Sequence, residues 1–535
     1  MIRVGQEPQA FAPRLDQLDA ANVIPRVWAG DYTVWETGPT EITNRLGWLR
    51  APETMREHLV SLRKFATAVR GERCDAIALL GMGGSSLAPE TLATMSRVAD
   101  GPRLDVLDTT HPGAVQRAID ALDPARTFYI VSTKSGTTPE TLALFRTFHR
   151  RAADALGKDG AGARFAAITD PGSPLVRLAH DFGFRRVFLN DPTIGGRYSA
   201  LSLVGLVPAA LLGLDLEELL DSARAIAGRC GPSVPVDRNP AALLAALLAA
   251  HIDGGRDKAT FVIPKPLASF GDWVEQLIAE STGKRGTGVV PVVGEPIGEA
   301  AVYGMDRVFV RLGSDTESPE PSIAVDFPGV ESLGAQFFLW EFATALLGHL
   351  LKVNPFDQPD VESSKEATRR ILAAYRDRGL RPERECIRLT PEALTEFATQ
   401  AMPGDYIALL AYLDPRSETR RRLQALRCAL RDKTHCATTL GFGPRYLHST
   451  GQLHKGDCGR GMFLLLVDDP EGDVAIPDET SRSIGLRLLV HAQAFGDARS
   501  LSDRGRRLVV ADLGRDVAAS LANATLGRPP EEGTT

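Results

Sequence analysis

The turn Ser132-Thr133-Lys134-Ser135-Gly136-Thr137-Thr138 gathers five hydroxyls and one ammonium. The apolar run Phe128-Tyr129-Ile130-Val131 before it reads as a buried strand, and Glu140-Thr141-Leu142-Ala143-Leu144-Phe145 after it reads as the opening of a helix. A strand end, a polar turn and a helix N-terminus together point free backbone N–H groups at one spot, where the helix dipole favours negative charge. A phosphate suits that spot. A second turn, Gly81-Met82-Gly83-Gly84-Ser85-Ser86, follows the apolar run Ala76–Leu80, and its adjacent glycines let the backbone come close to a ligand. Ligands of open parallel α/β sheets gather at the C-terminal strand ends, where both turns fall.

Three more groups carry candidate chemistry. Gly195-Gly196-Arg197 sets a guanidinium beside a backbone that can approach a ligand, to hold a phosphate or to stabilise a developing oxyanion. Glu280 closes an amphipathic helix and is followed by Ser281-Thr282-Gly283-Lys284; from this segment alone, a solvated carboxylate and a catalytic base are both open readings. Lys365 follows the polar turn Asn354–Ser364 and opens a helix. A cation there runs against the helix dipole, so an electrostatic partner is expected.

The elements that must position these groups follow an alternating plan. Strands are expected at Ala76–Leu80, Leu104–Leu107, Phe128–Ser132, Phe165–Thr169 and Val187–Leu189, with helices starting near Leu87, Ala114, Glu140 and Ser173. A second series places strands at Thr260–Ile263, Val289–Val293, Val308–Val310 and Ile323–Val325 between helices near Ala241–Asp253, Asp272–Ser281 and Leu333–Leu351. Such alternation predicts parallel sheets flanked by helices. Ser314–Ser322 reads as a loop. Trp28, Trp35 and Trp48 mark residues 1–50 as an arm laid on the body. Beyond about 390 a smaller α/β unit is expected, with strands at Tyr406–Tyr412 and Met462–Val467. Between them, Arg416–Arg431 reads as a helix whose arginine row is a solvated face. The end, Thr525–Thr535, reads as a disordered tail.

At 535 residues the chain needs more than one core. Its formal charge of −6 gives no general pull toward nucleic acid. Six scattered cysteines without a CxxC pair suit reduced thiols in a cytoplasm. The N-terminal residues lack an apolar secretion signal. The longest apolar stretches, Leu203–Leu214 and Ala241–Ile252, are shorter than the ~20 residues a membrane helix requires, so no membrane partner is expected.

The five groups, in this order over roughly residues 50–385, resemble the phosphoglucose isomerase family. The resemblance implies two sugar-isomerase domains, at 51–225 and 226–388, followed by a C-terminal α/β unit at 389–520 and a tail at 521–535. It implies that Ser85, Thr133, Lys134, Ser135 and Thr138 hold a sugar phosphate, with the backbones of Gly83, Gly84 and Gly196 beside it. It implies Glu280 as the base that moves a proton between C2 and C1, Arg197 as stabiliser of the enediolate, and Gln358 and Lys365 near the sugar ring. Glucose 6-phosphate and fructose 6-phosphate are the implied substrates, in glycolysis and gluconeogenesis, with no cofactor, no metal and a homodimeric enzyme. The stretch Thr438–Gly456 resembles, more narrowly, the isomerase half of bacterial transaldolase–isomerase fusion proteins. The family's ring-opening histidine lies between the Glu and the Gln–Lys motif. Here that interval holds only His349, in the apolar helix Leu346–Leu351, where a packed side chain is expected. His448 and His454, in the C-terminal unit, are the candidates to replace it, with His448 ahead. A non-catalytic sugar-phosphate sensor and an isomerase acting on mannose 6-phosphate are the alternatives.

Overall fold

The computed structural model describes residues 2–4, 10–95, 101–313, 322–380, 385–477, 484–524 and 526. The loop read at Ser314–Ser322, apart from Ser322, and nearly all of the tail read at Thr525–Thr535 lie outside the described residues.

Three five-stranded sheets are formed among the described residues. The N-terminal strand β1 (Ile2–Val4) belongs to the second of them. The first holds β2 (Ala76–Gly81), β3 (Arg103–Leu107), β4 (Thr127–Ser132), β5 (Phe165–Thr169) and β6 (Arg186–Leu189) in the order β3-β2-β4-β5-β6. The second holds β7 (Lys258–Val262), β8 (Val290–Val292), β9 (Arg307–Leu312) and β10 (Ile323–Val325) in the order β1-β10-β9-β7-β8. The third holds β11 (Ile387–Arg388), β12 (Tyr406–Tyr412), β13 (Ala437–Phe442), β14 (Gly461–Val467) and β15 (Arg507–Asp512) in the order β11-β15-β14-β12-β13.

One plan underlies all three. Four parallel strands stand in the spatial order second, first, third, fourth: β3-β2-β4-β5, β8-β7-β9-β10 and β13-β12-β14-β15. Only the fifth place differs. It is filled by the next strand in the chain (β6), by the antiparallel N-terminal strand (β1 on β10) and by the preceding strand (β11 on β15). In the first sheet the crevice opens between β2 and β4, where the order reverses. Gly81 is level with Ser132 in that pairing, so the two candidate turns leave the sheet side by side. β2 and β4 are buried along their whole length, as central parallel strands covered on both faces must be.

Shared cores weld the units together. One core combines the first and second sheets with the N-terminal arm and the helices Leu203–Leu212, Pro240–Asp253 and Leu333–Leu350. Asn239 caps Pro240–Asp253 by accepting from the N–H groups of Ala241 and Ala242. The arm is anchored by its tryptophans: Trp28 Nε1 donates to Cys230 O and Trp35 Nε1 to Ala345 O, both at 2.8 Å, while Trp48 is fully buried against Tyr198. A second core takes Val474, Ile476, Ile484, Leu486 and Leu489 from the C-terminal unit onto the other face of the first sheet. A third joins Ala279, Val290 and Val292 of the second unit to the inner face of the third sheet.

In the C-terminal α/β unit, β11, β13 and β15 join the two strands read from the sequence. One expectation needs correction: the arginine row on Ser417–Thr434 is not uniformly solvated. Arg427 and Arg431 are buried. Arg427 donates to Thr438 O and Val293 O, each at 2.9 Å, and Arg431 donates to Pro296 O, tying the helix to the second unit. The long side chains reach inward to carbonyls of the second unit and of β13, which satisfies their buried N–H groups.

Candidate active site

A cavity of about 670 Å³ lies where the three units meet. Thr138, extended at φ −62° and ψ 112°, precedes Pro139 at the start of the helix Pro139–Gly162. The polar turn therefore ends on the open N–H groups of a helix start. Within it, Thr133 and Thr138 hydroxyls lie 2.7 Å apart and Ser135 and Thr137 hydroxyls 2.9 Å apart. Lys134 Nζ donates to Asp170 Oδ2 at 2.6 Å and to Pro192 O at 2.8 Å, so its charge is shared with a carboxylate beside the turn. Burial pushes that carboxyl above the usual range against the pull of Lys134.

The facing turn works through close backbone approach. Gly83 has φ +57°, and a Cβ there would meet His448 O at 2.6 Å. A Cβ on Gly84 would meet Gly196 O at 2.0 Å, so the Gly83–Ser85 and Gly195–Arg197 turns touch through their backbones. Gly84→Ala must push the Arg197 turn outward. We expect a stability loss of about 1–3 kcal/mol from this overpacking, together with a fall in kcat, measurable by urea unfolding and steady-state assay.

Glu280 sits near the end of the helix Ala268–Thr282. Its side chain is only 14% exposed, because Arg197, itself 4% exposed, covers it at 3.1 Å. The carboxylate is therefore shielded by a guanidinium rather than solvated at a helix end. Gln276, four residues earlier on the same helix face, donates to Glu280 Oε2 at 3.1 Å and to His448 O at 2.6 Å. Arg197 is fixed from every side. Nε donates to Ser281 Oγ at 2.9 Å, Nη1 to Gln358 Oε1 at 3.0 Å, and Nη2 to Pro355 O and Asp357 O at 2.7 and 2.8 Å. Lys284 holds the same loop from behind, donating to Asn354 O and to Asp357 O and Oδ1. Burial and then the charge of Arg197 pull Lys284 down to about 8. Lys365 has the expected partner, Glu362 at 3.5 Å.

His448 reaches the cavity from the C-terminal unit. Its Nε2 lies 3.0 Å from Glu140 Oε1, which also accepts from Gln493 Nε2 at 2.6 Å. Burial pushes the Glu140 carboxyl up, but the charge and hydrogen bond of His448 outweigh it and leave the group below its ordinary range. Arg445, three residues before His448, pins this loop across the unit boundaries to Glu90, Asp108 and Asp272. The buried Lys455–Asp497 pair, with Tyr446 and Ser364 donating to Asp497, holds its other side.

The candidates for phosphate and for proton transfer, from Gly83 through Gly196 to His448, all line this one cavity. His454 does not. It is buried among Tyr406, Tyr446 and Phe463, and burial drives it down to about 3. His349 is packed on the arm, with Nδ1 2.6 Å from Val34 O. Glu140, Gln276, Gln493 and Arg45 escaped the sequence reading although each borders the site. Only Gln276 left a signal, its four-residue spacing from Glu280 on one helix face.

A profile of the phosphoglucose isomerase family matches residues 53–304. The chain is 29% identical over 409 residues to the glucose-6-phosphate isomerase of Rubrobacter xylanophilus, a match covering 65% of this chain and 92% of the relative. It is 31% identical over 405 residues to the glucose-6-phosphate isomerase of Cyanothece sp., covering 61% and 74%. A solved structure of a hypothetical protein from Thermus thermophilus is similar with a TM-score of 0.60 at 27% identity, over 70% of this chain and 100% of that one. A glucose-6-phosphate isomerase from Chlamydia trachomatis shares the fold, with a TM-score of 0.51 at 20% identity over 66% of this chain and 78% of its own.

Proposed function

The chain belongs to the phosphoglucose isomerase family, and from that premise we propose that it interconverts D-glucose 6-phosphate and D-fructose 6-phosphate. One observation carries the reading: Glu280 and Arg197, 3.1 Å apart, share a cavity wall with the hydroxyl turn. A phosphate on that turn, remote from the reacting carbons, supplies binding energy that orients them. Glu280 takes the proton from C2 and returns it to C1. The negative charge that develops on O1 and O2 of the cis-enediolate is met by Arg197, already oriented by its four hydrogen bonds to the protein. Gln358 and Lys365 complete the wall around the ring carbons. The reaction belongs to glycolysis and gluconeogenesis; the cytoplasm and a homodimer are the expectations that go with the family.

His448 is proposed to open the closed sugar ring. Glu140 orients its imidazole, so the pair can pass a proton to the ring oxygen and recover it from the anomeric hydroxyl. His448→Ala is expected to slow turnover of closed-ring substrate by roughly 10²-fold or more. Exchange of the C2 proton in substrate that is already open should change far less. Equal losses in both would remove His448 from ring opening.

The test of the whole reading is a coupled assay with fructose 6-phosphate and mannose 6-phosphate side by side, joined to deuterium exchange at C2 of glucose 6-phosphate. Turnover with exchange supports the isomerase. Phosphate-dependent binding without exchange would instead mark a sensor that uses the turn alone.

A further inference from the structure

We propose that Arg45, carried by the N-terminal arm, is a phosphate-binding residue of this site. The proposal rests on reading the 132–138 turn as the phosphate site. It begins from a charge problem. A sugar phosphate carries close to two negative charges at neutral pH. Lys134, the cation of the turn, is bonded to Asp170 and to Pro192 O. Arg197 is bound to Glu280, and Lys365 lies 3.5 Å from Glu362. The turn thus offers hydroxyls and backbone N–H groups but little unshared positive charge.

Arg45 stands where that charge is needed. It lines the cavity together with Lys134, Asp170, Pro192 and Thr193. The arm is stapled there: Leu46 bridges Ile194, and Gly47 N donates to Thr193 O at 3.0 Å. A Cβ on Gly195 would lie 3.6 Å from Arg45 Cδ, so the side chain runs along the turn that also carries Arg197. Its positive charge is among those that act on Asp170. The Arg45 side chain is 17% exposed, and that of its partner Glu41, four residues earlier, is 37% exposed. A doubly charged phosphate can compete with that single, partly exposed carboxylate for the guanidinium. The bonds to Glu41 and to Asn44 O occupy two of its five N–H groups. The remaining donors can take a phosphate in the forked geometry that lysine cannot supply.

The experiment compares Arg45→Gln, Arg45→Lys and the double variant Thr133→Ala/Ser135→Ala in the full chain. The readouts are KM for fructose 6-phosphate and the inhibition constant of inorganic phosphate. Arg45→Gln is expected to raise both together by roughly 10- to 100-fold, and Arg45→Lys to recover part of the loss. If Arg45→Gln leaves both constants unchanged while the double variant raises them, the turn binds phosphate and Arg45 does not. If Arg45→Gln lowers kcat without moving inhibition by phosphate, the residue only braces the arm and the proposal is overturned. If the double variant also leaves phosphate inhibition untouched, the phosphate reading of the turn fails first and takes the proposal with it.

Discussion

Glu280→Gln will lower turnover of fructose 6-phosphate by on the order of 10³–10⁴-fold, with little effect on competitive inhibition by inorganic phosphate. The substitution is nearly isosteric. An amide oxygen can still accept from Gln276 Nε2, so the helix end and the link to His448 O persist. What disappears, on the proposed mechanism, is the group that holds a proton between C2 and C1; Asp170, another carboxylate of the cavity, is bonded to Lys134. Lys365 is paired with Glu362, and Glu140 is committed to His448 and Gln493. The phosphate turn is built from separate elements and touches Glu280 through none of the hydrogen bonds described above. Deuterium washout from C2 is the decisive measurement: washout at the wild-type rate would remove Glu280 from the mechanism whatever happens to the overall rate.

Arg197→Lys is expected to cost on the order of 10²–10³-fold in kcat, the scale of losing an oxyanion donor. A lysine keeps the charge but loses the fork. The guanidinium reaches Ser281, Gln358, Pro355 O and Asp357 O at once while lying against Glu280. One ammonium cannot span those acceptors, and the Pro355 and Asp357 carbonyls lose a buried donor. The loop that carries Gln358 then loosens, although Lys284 still grips Asp357. We therefore expect a second signature, a stability loss of about 1–3 kcal/mol in urea unfolding. A variant with normal stability and normal kcat would show that the guanidinium only packs.

Local chemistry made much of this site legible in advance. The hydroxyl turn, the paired glycines and Gly195-Gly196-Arg197 each lie in a short segment whose residue types suggest a ligand site, whereas the segment of Glu280 leaves a solvated carboxylate and a base equally open. Interactions that depend on distant backbone were hidden. Nothing in the segment around Glu140 announces that His448 and Gln493 converge on it from more than 300 residues away. β13 and β15 were missed because Ala437-Thr438-Thr439-Leu440-Gly441-Phe442 is polar in the middle and β15 is half-exposed, so neither reads as a buried parallel strand. β1 joins its sheet only by pairing with β10, more than 300 residues later. The inward arginines did leave a trace. Leu423, Arg427 and Leu430 with Arg431 fall at three- and four-residue spacing on one helix face, and the charges drew attention away from that stripe.

The cavity wall begins at Asn44 and is not closed until His448, with Gln493 behind it. A chain emerging from the ribosome therefore completes the phosphate turn long before it completes the site. Gln276 finds no His448 carbonyl, and Glu140 stays without either of its partners, until the third sheet is being made. Nascent chains and fragments cut short of the third sheet lack the wall of the pocket that Leu447 and His448 supply. The finished polypeptide, rather than any one of its sheets, is the unit that can select and convert a substrate.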